Sequence, residues 1–316
     1  MDRIKLDKFL EKLDKIVSQQ GVFKKFIYSF LVWNFQVLWK IDKWLVSRII
    51  QAFTQSLYSH VAFCQLDGDK LYVFWAENLK KVKITQYPIK WKNVVYVIKQ
   101  FDIDEVMSYF DKKDYSNTLL FFLWPKCAEN FNARYENFIN RFSSVKYKNW
   151  ISLWDLVEFE LDFEMFGEKL QEIKLDLEKL QQEVNDIVLP ENNAKFLKKL
   201  FFTWGMFKFI VFAYGEKYDF SGALSIVFSP FRKNLFADNG KLFCSEFVAS
   251  AMLYAWFYPF DMLTKSPSMI TPGDLMDPTF WIWKTKYKVI DARAGKIYKI
   301  NNFEDMKEVK KVIWKN

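Results

Sequence analysis

The chain carries one histidine and three cysteines in 316 residues, and those scarcities set the first limits. Cys64, Cys127 and Cys244 are odd in number and widely spaced, which argues against a disulfide framework and fits a reducing compartment or an unbridged protein. With His60 the sole imidazole and no paired cysteines, a structural zinc site is not expected, and no other cofactor is called for. Arginine is scarce as well: only Arg3, Arg48, Arg134, Arg141, Arg232 and Arg293 stand among 46 basic residues. Specific base and phosphate readout relies on arginine forks, so specific nucleic-acid recognition is not expected. A secretory signal is also missing, because Asp2, Arg3, Lys5, Asp7 and Lys8 occupy the place where an apolar run should begin. The expected location is cytoplasmic or membrane-associated.

What is abundant is apolar and aromatic. Hydrophobic residues make up 51% of the chain, enough for a substantial core, and aromatics reach 20%. Such a surplus is more than a core absorbs, so part of it is expected to face a lipid, a hydrophobic substrate or a partner chain. The formal charge of +8 is unevenly spread: eleven carboxylates against three lysines between 155 and 188 leave that segment at about −8 and the remainder at about +16. A basic body with an acidic arm suits an anionic membrane surface or self-association.

Taken in order, residues 3–20 read as a charged amphipathic helix with an apolar stripe at steps of three and four. Phe26 to Trp39 holds fourteen residues without a charge, flanked by lysines. A bilayer span needs about twenty, so a buried helix is the first reading, with an interfacial membrane helix and a true span behind it. Tyr58–Leu66 and Leu71–Glu77 read as a hairpin around Asp67-Gly68-Asp69-Lys70, followed by strands at Lys81–Thr85 and Val94–Phe101. A helix is expected over Asn132–Phe142. Phe166 to Ile187 steps by four and three through about three heptads, a coiled-coil seam that packs either on the apolar segment Lys195–Tyr214 or on another subunit. Tyr287–Asp291 and Lys296–Ile300 read as closing strands.

These elements imply an α+β protein: an N-terminal helical region (1–45), a first half with a small antiparallel sheet (46–154), a helical-hairpin insertion (155–214) and a second half (215–316).

The chemistry centres on Gly240-Lys-Leu-Phe-Cys-Ser-Glu-Phe-Val248. Gly240 breaks the chain and Phe243, Phe247, Val248, Ala251, Met252 and Ala255 recur at helical spacing, so Cys244 falls in the first turn of a helix. The amides and dipole there favour a thiolate. If that thiol uses an imidazole base, His60 is the one available. Pairing Leu66 with Leu71 makes paired numbers sum to 137, which sets Glu77 opposite His60, where a carboxylate can fix the ring's tautomer. A slip of one residue would put the two on opposite faces. Cys64 shares the face of His60 but lies roughly 13 Å along the strand, and is expected in the core.

Ser59-His60-Val61 on a strand, an acidic residue one hairpin later, Tyr218-Asp219-Phe220, and Cys244-Ser245-Glu246-Phe247-Val248, in that order, resemble the circularly permuted papain-like thiol hydrolases of the NlpC superfamily, with YiiX-like and lecithin:retinol acyltransferase-like relatives. The resemblance covers roughly 46–110 and 205–280. It implies a permuted papain-like fold with Cys244 as nucleophile, His60 as general base, Glu77 as the residue orienting the histidine, and Tyr218 helping to line the oxyanion site. Asp219 is expected to be structural.

Such a site would form an acyl-enzyme on Cys244 from an amide or ester, with His60 moving the proton. Hydrolysis and acyl transfer share that intermediate and both remain open. The aromatic excess favours a lipid-like acyl or hydrophobic amide substrate, and hydrolysis of a cell-wall peptide is the alternative. A third reading is a non-enzymatic assembly protein that keeps the fold and associates through 166–187. Catalysis needs the imidazole within hydrogen-bond reach of the sulfur, whereas a separation beyond about 6 Å, or a sealed sulfur, fits assembly.

Overall fold

The computed structural model describes residues 11–12, 15, 36–54, 56–76, 81–90, 94–100, 132–133, 136, 205–206, 209–219, 222, 241–255, 266–276, 286–300 and 305. Glu77, Cys127, the seam at 166–187 and nearly all of the helices expected over 3–20 and Asn132–Phe142 lie outside them.

The elements in chain order are β1 (Gln36–Asp42), α1 (Leu45–Thr54), β2 (His60–Asp67), β3 (Lys70–Ala76), β4 (Val82–Pro88), β5 (Val94–Gln100), α2 (Cys244–Tyr254), a 3-10 turn (Pro267–Met269), α3 (Pro272–Met276), β6 (Lys286–Asp291) and β7 (Lys296–Ile300). The strands form one seven-stranded sheet in the order β4-β3-β2-β1-β5-β6-β7, every pairing antiparallel. The protein is therefore α+β, as expected from the sequence.

The β2–β3 hairpin pairs Phe63 with Phe74 and Leu66 with Leu71, which is the register that sums to 137. Its turn is tighter than the four-residue loop expected: Asp67 still pairs with Lys70, leaving Gly68 and Asp69 to reverse the chain. Gly68 takes φ of 56° there, a left-handed conformation that a two-residue hairpin turn demands and that glycine adopts without a steric cost. At the other end of the sheet, the β6–β7 turn is held by Asp291. Its carboxylate accepts from the Arg293 amide at 3.1 Å and from the Arg293 guanidinium at 2.8 and 3.0 Å.

Of the apolar run Phe26 to Trp39, residues 26–35 lie outside the described residues, and the end of it differs from its first reading as a buried helix. Residues 36–42 form β1, the central strand of the sheet, paired with β2 on one side and β5 on the other. Val37, Leu38 and Trp39 are fully buried. A strand covered on both faces loses the apolar–polar alternation that would identify it, and so reads as a helix segment of similar polarity. The sheet consequently begins before residue 46, where the first half was expected to start.

Each face of the sheet has its own apolar layer. On one, Leu38, Ala62, Cys64, Val73, Trp75 and Ile98 belong to a single buried cluster. On the other, Phe63 and Phe74 receive Phe247 of α2, with ring centroids 5.6 and 5.3 Å apart. Phe209, from the helical residues 209–213, packs on the same phenyl ring at 5.8 Å. Phe247 is fully buried, and this aromatic contact fixes α2, and with it Cys244, on one side of β2.

Candidate active site

Cys244 is the first residue of α2. The residue before it, Phe243, holds the N-cap position but has no side-chain acceptor, so the helix starts without the Ser, Thr, Asp or Asn that normally binds its first amides. Only the reverse half of a capping box is made, with the Glu246 carboxylate accepting from the Phe243 amide at 3.4 Å. The sulfur takes the vacant role. The amides of Cys244, Ser245 and Val61 lie near enough to favour negative charge on Cys244 Sγ, and the Tyr218 hydroxyl neighbours it.

Ser245 anchors this corner. Its fully buried hydroxyl donates to the Ile270 carbonyl at 2.6 Å, tying α2 to the 3-10 turn. With its one proton committed there, it has none left for the sulfur. Thr271 and Asp274 then cap α3 reciprocally: the Asp274 carboxylate accepts from the Thr271 amide at 2.9 Å, while Thr271 Oγ1 accepts from the Asp274 amide at 3.2 Å. Pro272, the first residue of α3, accepts from Trp39 Nε1 at 3.1 Å, which locks that helix to β1.

These elements enclose a small cleft lined by Ile50, Thr54, Ser59, Tyr218, Phe243, Cys244, Ser245, Ile270, Thr271 and Pro272. Its volume of about 20 Å3 is room for one water. No lining side chain carries a charge. Cys244 is 4% exposed, and burial pushes its thiol up to about 11 against the pull of the surrounding amides. Burial, and then the neighbouring sulfur, also raise the Tyr218 hydroxyl well above its ordinary range. Tyr218 therefore stays protonated and acts as a donor toward the sulfur.

The expected pairing of Cys244 with His60 is not what the structure shows. His60 opens β2, and strand alternation sends its side chain to the face of Ala62 and Cys64, while Val61 and Phe63 point toward α2. The imidazole packs edge-on against Trp75 at 4.9 Å, on the face opposite the sulfur. It does not line the cleft. Its Nε2 is buried without a hydrogen-bond partner. Burial first, and the Lys40 ammonium second, hold its pKa down to about 3, with Asp42 pulling weakly the other way. The ring is a neutral core group in this conformation.

Of the four residues singled out from sequence, the fold thus unites Cys244 and Tyr218, sets His60 across the sheet, and leaves Glu77 outside the described residues. Asp219 has the structural role expected of it: it is buried and accepts from the Gly222 amide at 2.9 Å. Cys64 is in the core, as expected. Sequence reasoning missed the Val61 amide and the Ser245 anchor, whose backbone and packing roles leave no residue-type signature. The Thr271–Asp274 cap was findable, because Thr-Pro-Gly-Asp carries the spacing of a capping box with proline at the first helical position. Among the described residues no cluster of His, Cys, Asp and Glu could hold a metal. No protein family, curated protein or solved structure matches the chain.

Proposed function

We propose that the chain is a thiol enzyme of acyl transfer or hydrolysis on a permuted papain-like fold, with Cys244 as its nucleophile. One observation carries this reading: three amides and the Tyr218 hydroxyl converge on a sulfur at a helix N-terminus beside a cleft. Donors so arranged favour negative charge, first on the thiolate and then on the oxygen of a carbonyl that it attacks. The Cys-His form of the idea does not carry over, because His60 lies out of reach on the far face.

The steps are those of an acyl-enzyme. The Cys244 thiol gives its proton to water, the thiolate adds to the carbonyl carbon of an ester or amide, and an S–C bond forms. The carbonyl oxygen takes the negative charge. Collapse expels the alcohol or amine with a proton from water, and a second water or another acceptor releases the acyl group. Tyr218 does not serve as the base, since a hydroxyl held well above its ordinary range stays protonated and can only donate. Desolvation is the largest cause holding the thiol protonated, so opening the cleft to water is the step that activates the sulfur.

A second reading is favoured by the same closed cleft. A sulfur 4% exposed beside room for one water suits an inert core thiol in a non-enzymatic assembly protein. Intact-mass analysis after incubation with a p-nitrophenyl acyl ester separates the two. The enzyme reading expects one acyl adduct, mapped by peptide analysis to Cys244 and absent from Cys244→Ser. Adducts spread equally over the three cysteines, or none at all, would leave the assembly reading standing.

A further inference from the structure

We infer that the start of α1 is a docking edge for an anionic lipid surface. Trp44 and Leu45 are adjacent and 62% and 71% exposed, the two most exposed large apolar side chains among the described residues. They sit where the chain turns from β1 into α1, and the Trp44 carbonyl accepts the first helical bond, from the Arg48 amide at 2.9 Å. Exposed Lys43 and Arg48 flank them. From Lys43 to Thr54 there is no acidic residue. The nearest carboxylate, Asp42, is buried and bound by Lys40 at 2.6 Å, so it does not offset the two cations.

The chemistry of the edge specifies its occupant. The helix N-terminus adds the positive end of the α1 dipole, with no acidic residue in its first turn to balance it. An anionic surface meets that positive field, while the indole and the Leu45 side chain enter the apolar zone just beneath the headgroups. Two anchors are enough for a lipid surface. A protein partner requires roughly 800 Å2 from each side, far beyond what two side chains supply. Among the described residues no helix is long and apolar enough to cross a membrane. The inference stands apart from the chemistry of Cys244. It nevertheless places the cleft close by, since Ile50 and Thr54 of the same helix line it.

Co-sedimentation of the full chain with phosphatidylcholine vesicles, with and without phosphatidylserine, tests the assignment. Binding is expected only with phosphatidylserine and should weaken as salt rises. Lys43→Glu and Arg48→Glu should each lower partitioning about fivefold or more. Trp44→Ser with Leu45→Ser should lower it about tenfold or more. All four positions are exposed, and circular dichroism should show unchanged folds. Failure to bind, equal binding to neutral vesicles, or variants that partition like the wild type would overturn the inference. So would a dimer in light scattering that the Trp44/Leu45 variant abolishes, since the edge would then belong to a second copy.

Discussion

Acidification should destabilise this protein through His60, by an amount that can be worked out from its setting. The unfolded chain binds a proton on this residue with a pKa of about 6.5. In the fold, burial beside Trp75 and Lys40 holds the value down to about 3. Between those limits the unfolded state binds more protons, so stability rises with pH across the window and is lost as pH falls from 6.5 toward 3. At pH 7.5 the penalty is near zero, whereas at pH 5.0 it is about 2 kcal/mol. That figure barely depends on the folded value, provided it lies below about 4, because the unfolded state does nearly all the titrating in this range. Urea unfolding of the wild type and of His60→Gln at the two pH values isolates it. The wild type should lose about 2 kcal/mol more than the variant between pH 7.5 and 5.0. Because His60 is the only histidine, its ring gives a single NMR signal, which should stay unshifted down to pH 5 in the native state. A ring that titrates near 6.5, or two variants with equal pH slopes, would refute the assignment of His60 to the sheet's interior.

Four further outcomes test the site and its support. Cys244, raised to about 11, should alkylate about a hundredfold more slowly at pH 7 than an unperturbed thiol, with a rate still climbing above pH 9. Tyr218→Phe removes a donor to the thiolate and should slow that labelling further at fixed pH; faster labelling would mean that the hydroxyl acts by closing the cleft. Phe247→Ala empties the contact shared by Phe63, Phe74 and Phe209 and should cost about 3–5 kcal/mol in denaturant unfolding. Gly205→Ala would bring a Cβ to 2.5 Å from the Tyr254 carbonyl oxygen and 2.8 Å from the Ala255 Cα. Backbone cannot move aside as a side-chain tip can, and a loss of about 1–3 kcal/mol is expected, readable as a lowered midpoint at unchanged slope.

The hairpin, the strands at 82–88 and 94–100, the closing pair at 286–300 and the helix beginning at Cys244 were legible because each carries local punctuation. Gly68 marks a turn and alternation marks the strands, while helical spacing of Phe243, Phe247 and Ala251 marks α2. β1 was not legible. Its central place in the sheet and its cover are decided by β5 and by Pro272, which lie 52 or more positions away along the chain, and nothing within residues 36–42 announces them. The strand order was hidden for the same reason, since β6 joins β5 across the segment from 101 to 285. In the site, residue types pointed to Cys244 and the family resemblance to Tyr218, and both flank the Tyr218–Leu242 bridge that leads into α2.

The side of the sheet taken by His60 turns on a parity that residue identity does not reveal. The hairpin register was read correctly from Leu66 and Leu71, yet a register fixes partners and leaves open which face the helix will cover. That choice is made by Phe247, which needs the Phe63 and Phe74 face for its ring. Once it is made, Val61 and Ser59 belong to the sulfur's side, and what they present to it is an amide and a hydroxyl already turned toward the Lys40 carbonyl. Among the described residues, the amides and the Tyr218 hydroxyl named around the Cys244 sulfur can thus lend a proton, and no ionisable base lines its cleft. A site built this way stabilises a charge once formed but does not create it, which is why access of water to the cleft, rather than the titration of a neighbouring base, must set the pH at which Cys244 reacts.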